Sequence, residues 1–72
     1  MWDEVCDGVF MRDYGRFMGI VNGIRWDTLE SGGSFVLSTN DYRERTVAKG
    51  DFRSIEEAME ACDHAAGCRD EG

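Results

Sequence analysis

The chain has 72 residues, and its 15 aspartates and glutamates outnumber its 8 lysines and arginines, giving a formal net charge of −7. An acidic excess of this size repels nucleic acids and anionic membranes and attracts basic protein surfaces. It argues against direct nucleic-acid binding and against attachment to a membrane surface. We expect one small domain over residues 1–72, with a polar tail over residues 68–72.

The composition also bears on the compartment. No apolar run approaches the ~20 residues of a membrane span, and the first residues lack the pattern of a signal peptide. The three cysteines, Cys6, Cys62 and Cys68, cannot all pair within one chain. Reduced thiols in a cytoplasm are the simplest interpretation, with a single Cys62–Cys68 bridge as the alternative.

The first fifteen residues fit two structures. Apolar residues at helical spacing favour a helix, but Gly8 would cost that helix about 1 kcal/mol relative to alanine. The alternative is a strand around residues 9–11 that turns at residues 13–15. We favour the strand.

The middle of the chain is typical of antiparallel strands joined by turns. A strand over residues 16–21 is followed by Asn22-Gly23, a strong two-residue hairpin signal, and then by a strand over residues 24–29. Further strands are predicted over residues 34–39 and 42–49, separated by a turn at Asn40-Asp41. The glycines along this region are assigned to turns and bulges.

The last part of the chain predicts a helix. Ser54 is a good N-cap, and Glu57 completes a capping box. An apolar stripe at helical spacing follows, formed by Ile55, Ala58, Met59, Cys62, Ala65 and Ala66. Gly67 is the expected stop, and Phe52 is expected to plug the core. The fold class is therefore α+β, an antiparallel sheet of four or five strands with one C-terminal helix packed on one face.

Catalytic and metal chemistry find little support in the sequence. The cluster most like a metal site is Cys62, His64 and Cys68, but Cys62 and His64 diverge by about 200° around a helix. We expect Cys62 in the core and His64 in solvent. No nucleophile signature accompanies the single histidine, and the glycines lack the lysine and Ser/Thr of a phosphate loop. We expect no catalytic residue, no metal and no cofactor.

The charged residues are the candidate binding residues. Four carboxylates form a predicted ridge on the helix: Glu56, Glu57, Glu60 and Asp63. Three more lie near the start of the chain: Asp3, Glu4 and Asp7. Helix carboxylates one turn apart, about 5–6 Å, imitate the spacing of successive phosphates. The plainer interpretation is a solvated surface that keeps a small protein dispersed.

The sequence also predicts a basic patch, separate from the acidic ridge on the helix. Arg43, Arg45 and Lys49 fall on one face of the predicted strand over residues 42–49. Its long side chains either cover the sheet and pair with nearby acids, or form a secondary contact patch for a protein partner.

Two segments carry a resemblance to known proteins. The strand region contains Gly23-Ile24-Arg25-Trp26 and Gly32-Gly33-Ser34-Phe35, and the helix is introduced by residues 50–59. In these segments the chain resembles small phage-encoded anti-defence proteins, which include anti-CRISPR proteins, without matching one specific family. The resemblance implies a non-enzymatic inhibitor that binds a host nucleic-acid-handling complex, here through a basic surface of that complex. The alternative is a small structural or accessory module of a phage, either monomeric or homodimeric.

Overall fold

The computed structural model describes residues 1–70 and shows five strands followed by one helix. The elements are β1 (Asp3–Cys6), β2 (Val9–Asp13), β3 (Phe17–Ile24), β4 (Ser31–Thr39), β5 (Thr46–Phe52) and α1 (Ile55–Asp70). The strands form one antiparallel sheet in chain order, and α1 packs on β3, β4 and β5. The predicted α+β class is confirmed. No helix in the described residues is long and apolar enough to cross a bilayer.

The beginning of the chain is a hairpin of β1 and β2. The favoured strand around residues 9–11 is confirmed, and β1 is an additional strand that the sequence did not indicate. The turn expected at residues 13–15 is also present. Gly15 has a φ of 89°, and its N–H donates to Asp13 Oδ1 at 2.7 Å. A glycine adopts this left-handed conformation without steric cost, so the turn is locally encoded.

The hairpin turn predicted at Asn22-Gly23 is absent, so this prediction is wrong. Both residues lie inside β3, where Asn22 is the register partner of Ser34. The chain reverses instead over residues 25–30, where Arg25 N–H donates to Glu30 O and Leu29 N–H donates to Arg25 O. The predicted strand over residues 24–29 is therefore this loop.

Close approach of the helix and its cap explains where two glycines lie. A Cβ placed on Gly19 would stand 2.7 Å from Cys62 Sγ, and one on Gly33 would overlap the carbonyl of Ser54. Gly19 and Gly33 thus leave room for the helix against the sheet, and the turn and bulge roles assigned to these two are wrong. Gly23 lies where the pairing of β3 with β4 shifts register between Asn22 and Ile24, in agreement with a bulge role.

The predicted fourth strand begins later than expected. Residues 41–45 form a turn in which Asp41 Oδ1 accepts from Arg43 N–H at 2.9 Å and from Glu44 N–H at 3.2 Å. β5 starts only at Thr46 and continues to Phe52, so Arg43 and Arg45 lie outside it.

The start of the helix and the core are confirmed. Glu57 N–H donates to Ser54 Oγ at 3.2 Å, as expected of an N-cap. The buried core joins three strand residues, Val21, Phe35 and Leu37, to three helix residues, Ala58, Cys62 and Ala66. Partly buried Phe52 stacks on Phe35 with ring centroids 5.9 Å apart.

The predicted end of the helix is wrong. α1 continues through Gly67 to Asp70, so residues 68–70 of the predicted polar tail are helical, whereas residues 71–72 lie outside the described residues. The last turn is attached to the sheet, because the Arg69 guanidinium donates to Val47 O at 2.9 Å. Ala66 is also buried, and packing of this turn outweighs the low helix propensity of glycine.

Candidate interaction surfaces

The exposed carboxylates of α1 form the first candidate surface. Glu56, Glu57 and Glu60 are all exposed, and the acids of the first turn stand at the positive end of the helix dipole. Within residues 1–69, ion pairs are formed only by Arg12 with Asp63 and by Arg25 with Asp27. The three glutamates therefore keep their charge directed at solvent.

Asp63 differs from the other predicted ridge residues. Its Oδ1 accepts a hydrogen bond from the Tyr14 hydroxyl at 2.6 Å and lies 3.4 Å from Arg12 Nη1. The Arg12 guanidinium also stands over the Tyr14 ring, 5.4 Å from its centroid. Burial, and then the bond to Asp63, raise the pKa of Tyr14. Asp63 thus ties α1 to β2 and the following turn, and it is less available to a partner than the glutamates.

The acids near the start of the chain form a separate surface. Asp3 and Glu4 lie on β1 and Asp7 in the turn that follows, and all three are exposed. β1 is the edge strand, separated from β3 by β2, whereas α1 packs on β3, β4 and β5. The two groups of acids therefore lie on elements that are not packed directly on each other.

The basic patch is dispersed. Arg43 and Arg45 lie in the turn after β4, whereas Lys49 lies on β5 opposite Val36. The Arg43 guanidinium stands over the Tyr42 ring, 5.6 Å from its centroid. The prediction that these three cations share one face of a strand is wrong, because β5 begins only at Thr46.

The predicted cluster of Cys62, His64 and Cys68 is divided between two sides of the helix. Cys62 is fully buried, and burial raises the pKa of its thiol. His64 and Cys68 are exposed, with His64 Nε2 3.6 Å from Cys68 Sγ. All three cysteines are free, and the side chains of residues 1–69 include no group of three or more potential metal ligands.

The sheet face turned away from α1 is a third surface, and its residues were not among the predicted site residues. Met11, Met18, Ile20 and Val36 alternate with residues that face the helix, and they are only half-buried. The signal was present in the sequence: residues 17–21 are apolar or glycine at both parities, as in a strand with two apolar faces.

Part of this uncovered face forms a cavity of about 260 Å³. Its floor consists of Met11, Met18 and Ile20. The rim is polar and comes from the end of β4 and the turn after it: Ser38, Thr39, Asn40, Asp41 and Glu44.

The chain matches no protein-family model, no curated protein and no solved structure. Its function must therefore be argued from its own residues.

Proposed function

We propose that this protein is a non-enzymatic inhibitor that binds a basic surface of a nucleic-acid-handling complex. The target class is a CRISPR effector or a similar nuclease, and binding blocks access of nucleic acid. The observation that supports this proposal is the exposed group Glu56, Glu57 and Glu60, which has no cationic partner within residues 1–69. In this proposal the protein is phage-encoded and acts in the host cytoplasm without a cofactor.

The helix geometry suits a surface that normally holds a phosphate backbone. Glu56 and Glu60 are four residues apart on α1, a rise of about 6 Å. A rigid row of carboxylates at this spacing competes with phosphates for lysine and arginine side chains. The net charge of −7 steers the protein towards such a surface, so association should be fast and should weaken with salt.

The test compares two variants that lose the same formal charge. Glu57→Gln/Glu60→Gln removes two helix carboxylates, whereas Asp27→Asn/Glu30→Gln removes two carboxylates around the loop after β3. Each protein is immobilised and exposed to an extract of host cells, and bound complexes are eluted with a salt gradient. The eluted complexes are then assayed for binding of labelled nucleic acid with and without added protein.

We expect the wild type and the loop variant to capture a nucleic-acid-binding complex that elutes with salt. The captured complex should lose nucleic-acid binding when stoichiometric protein is added. The helix variant should capture at least tenfold less, which is about 1.4 kcal/mol. Equal capture by the two variants, or undiminished nucleic-acid binding in the presence of the protein, would contradict the proposal.

A structural or assembly module is the second candidate, and the uncovered apolar sheet face favours it. Two copies that cover this face mutually would form a homodimer. Light scattering on the isolated protein distinguishes the candidates, because a dimer mass supports the module and a monomer mass supports the inhibitor.

A further inference from the structure

The cavity on the uncovered sheet face combines an apolar floor with acidic groups at its rim. Met11 and Ile20 are register partners on β2 and β3, and Met18 lies two residues before Ile20 on the same face. Thioether and branched aliphatic side chains form an adaptable apolar surface. The rim supplies the carboxylates of Asp41 and Glu44, both in the exposed turn between β4 and β5.

The turn that carries these carboxylates is held to the sheet by hydrogen bonds. Thr39 N–H donates to Arg45 O, and Arg45 N–H donates to Thr39 Oγ1, both at 2.9 Å. On the other side, Asn40 Nδ2 donates to Asp13 Oδ1 and to Gly15 O, both at 3.1 Å. The rim is therefore fixed relative to the floor before any partner arrives.

The two carboxylates have different capacities for a partner. Asp41 Oδ1 already accepts from the Thr39 hydroxyl and from two backbone N–H groups. No hydrogen bond or ion pair engages the Glu44 carboxylate within residues 1–69, and the nearby cation Arg45 forms no ion pair with Asp41 there. Glu44 is thus the freer of the two carboxylates that line the cavity, and Arg43 and Arg45 flank it in the chain.

We propose that this cavity receives a lysine or arginine side chain of a basic protein partner. Such a side chain has an aliphatic stem that suits the methionines and a cationic end that suits Glu44 and Asp41. The net charge of −7 favours a cationic occupant and opposes a second copy of the same acidic chain. The inference rests on the proposed function for the basic character of the partner, and it adds a binding site away from the helix.

The experiment follows the methyl signals of Met11, Met18 and Ile20 by NMR while small probes are added. The probes are the N-acetyl, N-methylamide derivatives of lysine, arginine and norleucine, and norleucine supplies the stem without the charge. We expect saturable shifts of these methyl groups with lysine, arginine or both, with a Kd of about 1–10 mM. The probe that binds more tightly identifies which cationic side chain the cavity takes.

Two variants and a control make the test specific. Glu44→Gln should weaken binding of the cationic probes severalfold, and Glu44→Lys should abolish it, whereas Glu30→Gln should leave it unchanged. Equal binding of norleucine, shifts confined to α1, or no saturation up to about 20 mM would overturn the inference. Because no partner protein is used, failure here leaves the capture experiment on the helix variants standing, and the reverse also holds.

Discussion

At the scale of single residues, Gly19 of β3 and Cys62 of α1 approach each other closely. A Cβ on Gly19 would stand 2.7 Å from Cys62 Sγ, 3.0 Å from Tyr14 Cε2 and 3.2 Å from Trp2 Cη2. Cys62 is fully buried, so its sulfur cannot be displaced into solvent. The contact therefore limits the size of the residue at each of the two positions.

Gly19→Ala should lower the free energy of unfolding by about 1–3 kcal/mol through overpacking. Cys62→Ala removes the sulfur, so adding Gly19→Ala to Cys62→Ala should cost less than Gly19→Ala costs alone. Urea unfolding of the four proteins in the cycle measures both effects. Strict additivity of the two substitutions would show that this contact does not restrict the packing.

Asp41 makes the contribution of the turn after β4 to stability dependent on pH. Hydrogen bonds from Arg43 N–H and then from the Thr39 hydroxyl and Glu44 N–H hold the pKa of Asp41 below its usual value. A carboxyl whose pKa is lowered in the folded state stabilises the fold above its unfolded pKa of about 3.9, and this contribution is lost as pH falls through the folded pKa.

Asp41→Asn should therefore be less stable than the wild type at neutral pH, and the difference should shrink below about pH 4. Urea unfolding at a series of pH values measures this difference. A difference that stays constant into strong acid would show that the charge of Asp41 plays no part.

At the scale of elements, the parts of the fold that were predicted correctly depend on neighbours in sequence. The cap at Ser54 and the turn around Gly15 each need only a few consecutive residues, and both are present. The failures depend on tertiary contacts. Asn22-Gly23 is a turn by local pattern, but pairing with β4 keeps both residues inside β3.

The candidate site was predicted less completely than the fold, for the same reason. The sequence places Glu56, Glu57, Glu60 and Asp63 on one polar side of a helix, but it does not show that Tyr14 and Arg12 engage Asp63. The cavity on the uncovered face depends on strand register and on a turn whose residues fit a strand by local pattern.

Gly67 allows a direct test of how α1 ends. It is exposed within the helix, and no atom lies near a Cβ built on it. Gly67→Ala should raise the free energy of unfolding by about 0.5–1 kcal/mol, because alanine is the better helix former.

Gly15→Ala is the matched control for this test. Gly15 also has open space around its Cβ position, but its φ is 89°. Alanine there should destabilise the protein, because that conformation is strained for a residue with a Cβ. Both substitutions replace glycine by alanine, but the backbone conformation differs between the two positions. Loss of stability in Gly67→Ala, seen by thermal unfolding, would contradict a helix through residue 67.

At the scale of the whole molecule, the net charge destabilises the folded state. The net charge is −7, and only two ion pairs form within residues 1–69, so most like charges repel across a small volume without a close opposite charge. Added salt screens this repulsion over a distance of about 10 Å at 0.1 M.

We therefore expect the free energy of unfolding to rise when sodium chloride is added, while binding to a basic partner weakens. Urea unfolding at low and moderate ionic strength measures the first effect, and the capture experiment measures the second. A protein that becomes less stable in salt would indicate that attractive pairs outweigh the repulsion.

The order of the elements has a consequence for how the protein is made. Every strand pairs with its neighbours in the chain, and the helix that completes the core comes last. While α1 is still in the ribosomal exit tunnel, Val21, Phe35 and Leu37 have no cover. Stable folding must therefore wait until α1 has left the tunnel, and until then the acidic side chains oppose aggregation of the nascent sheet.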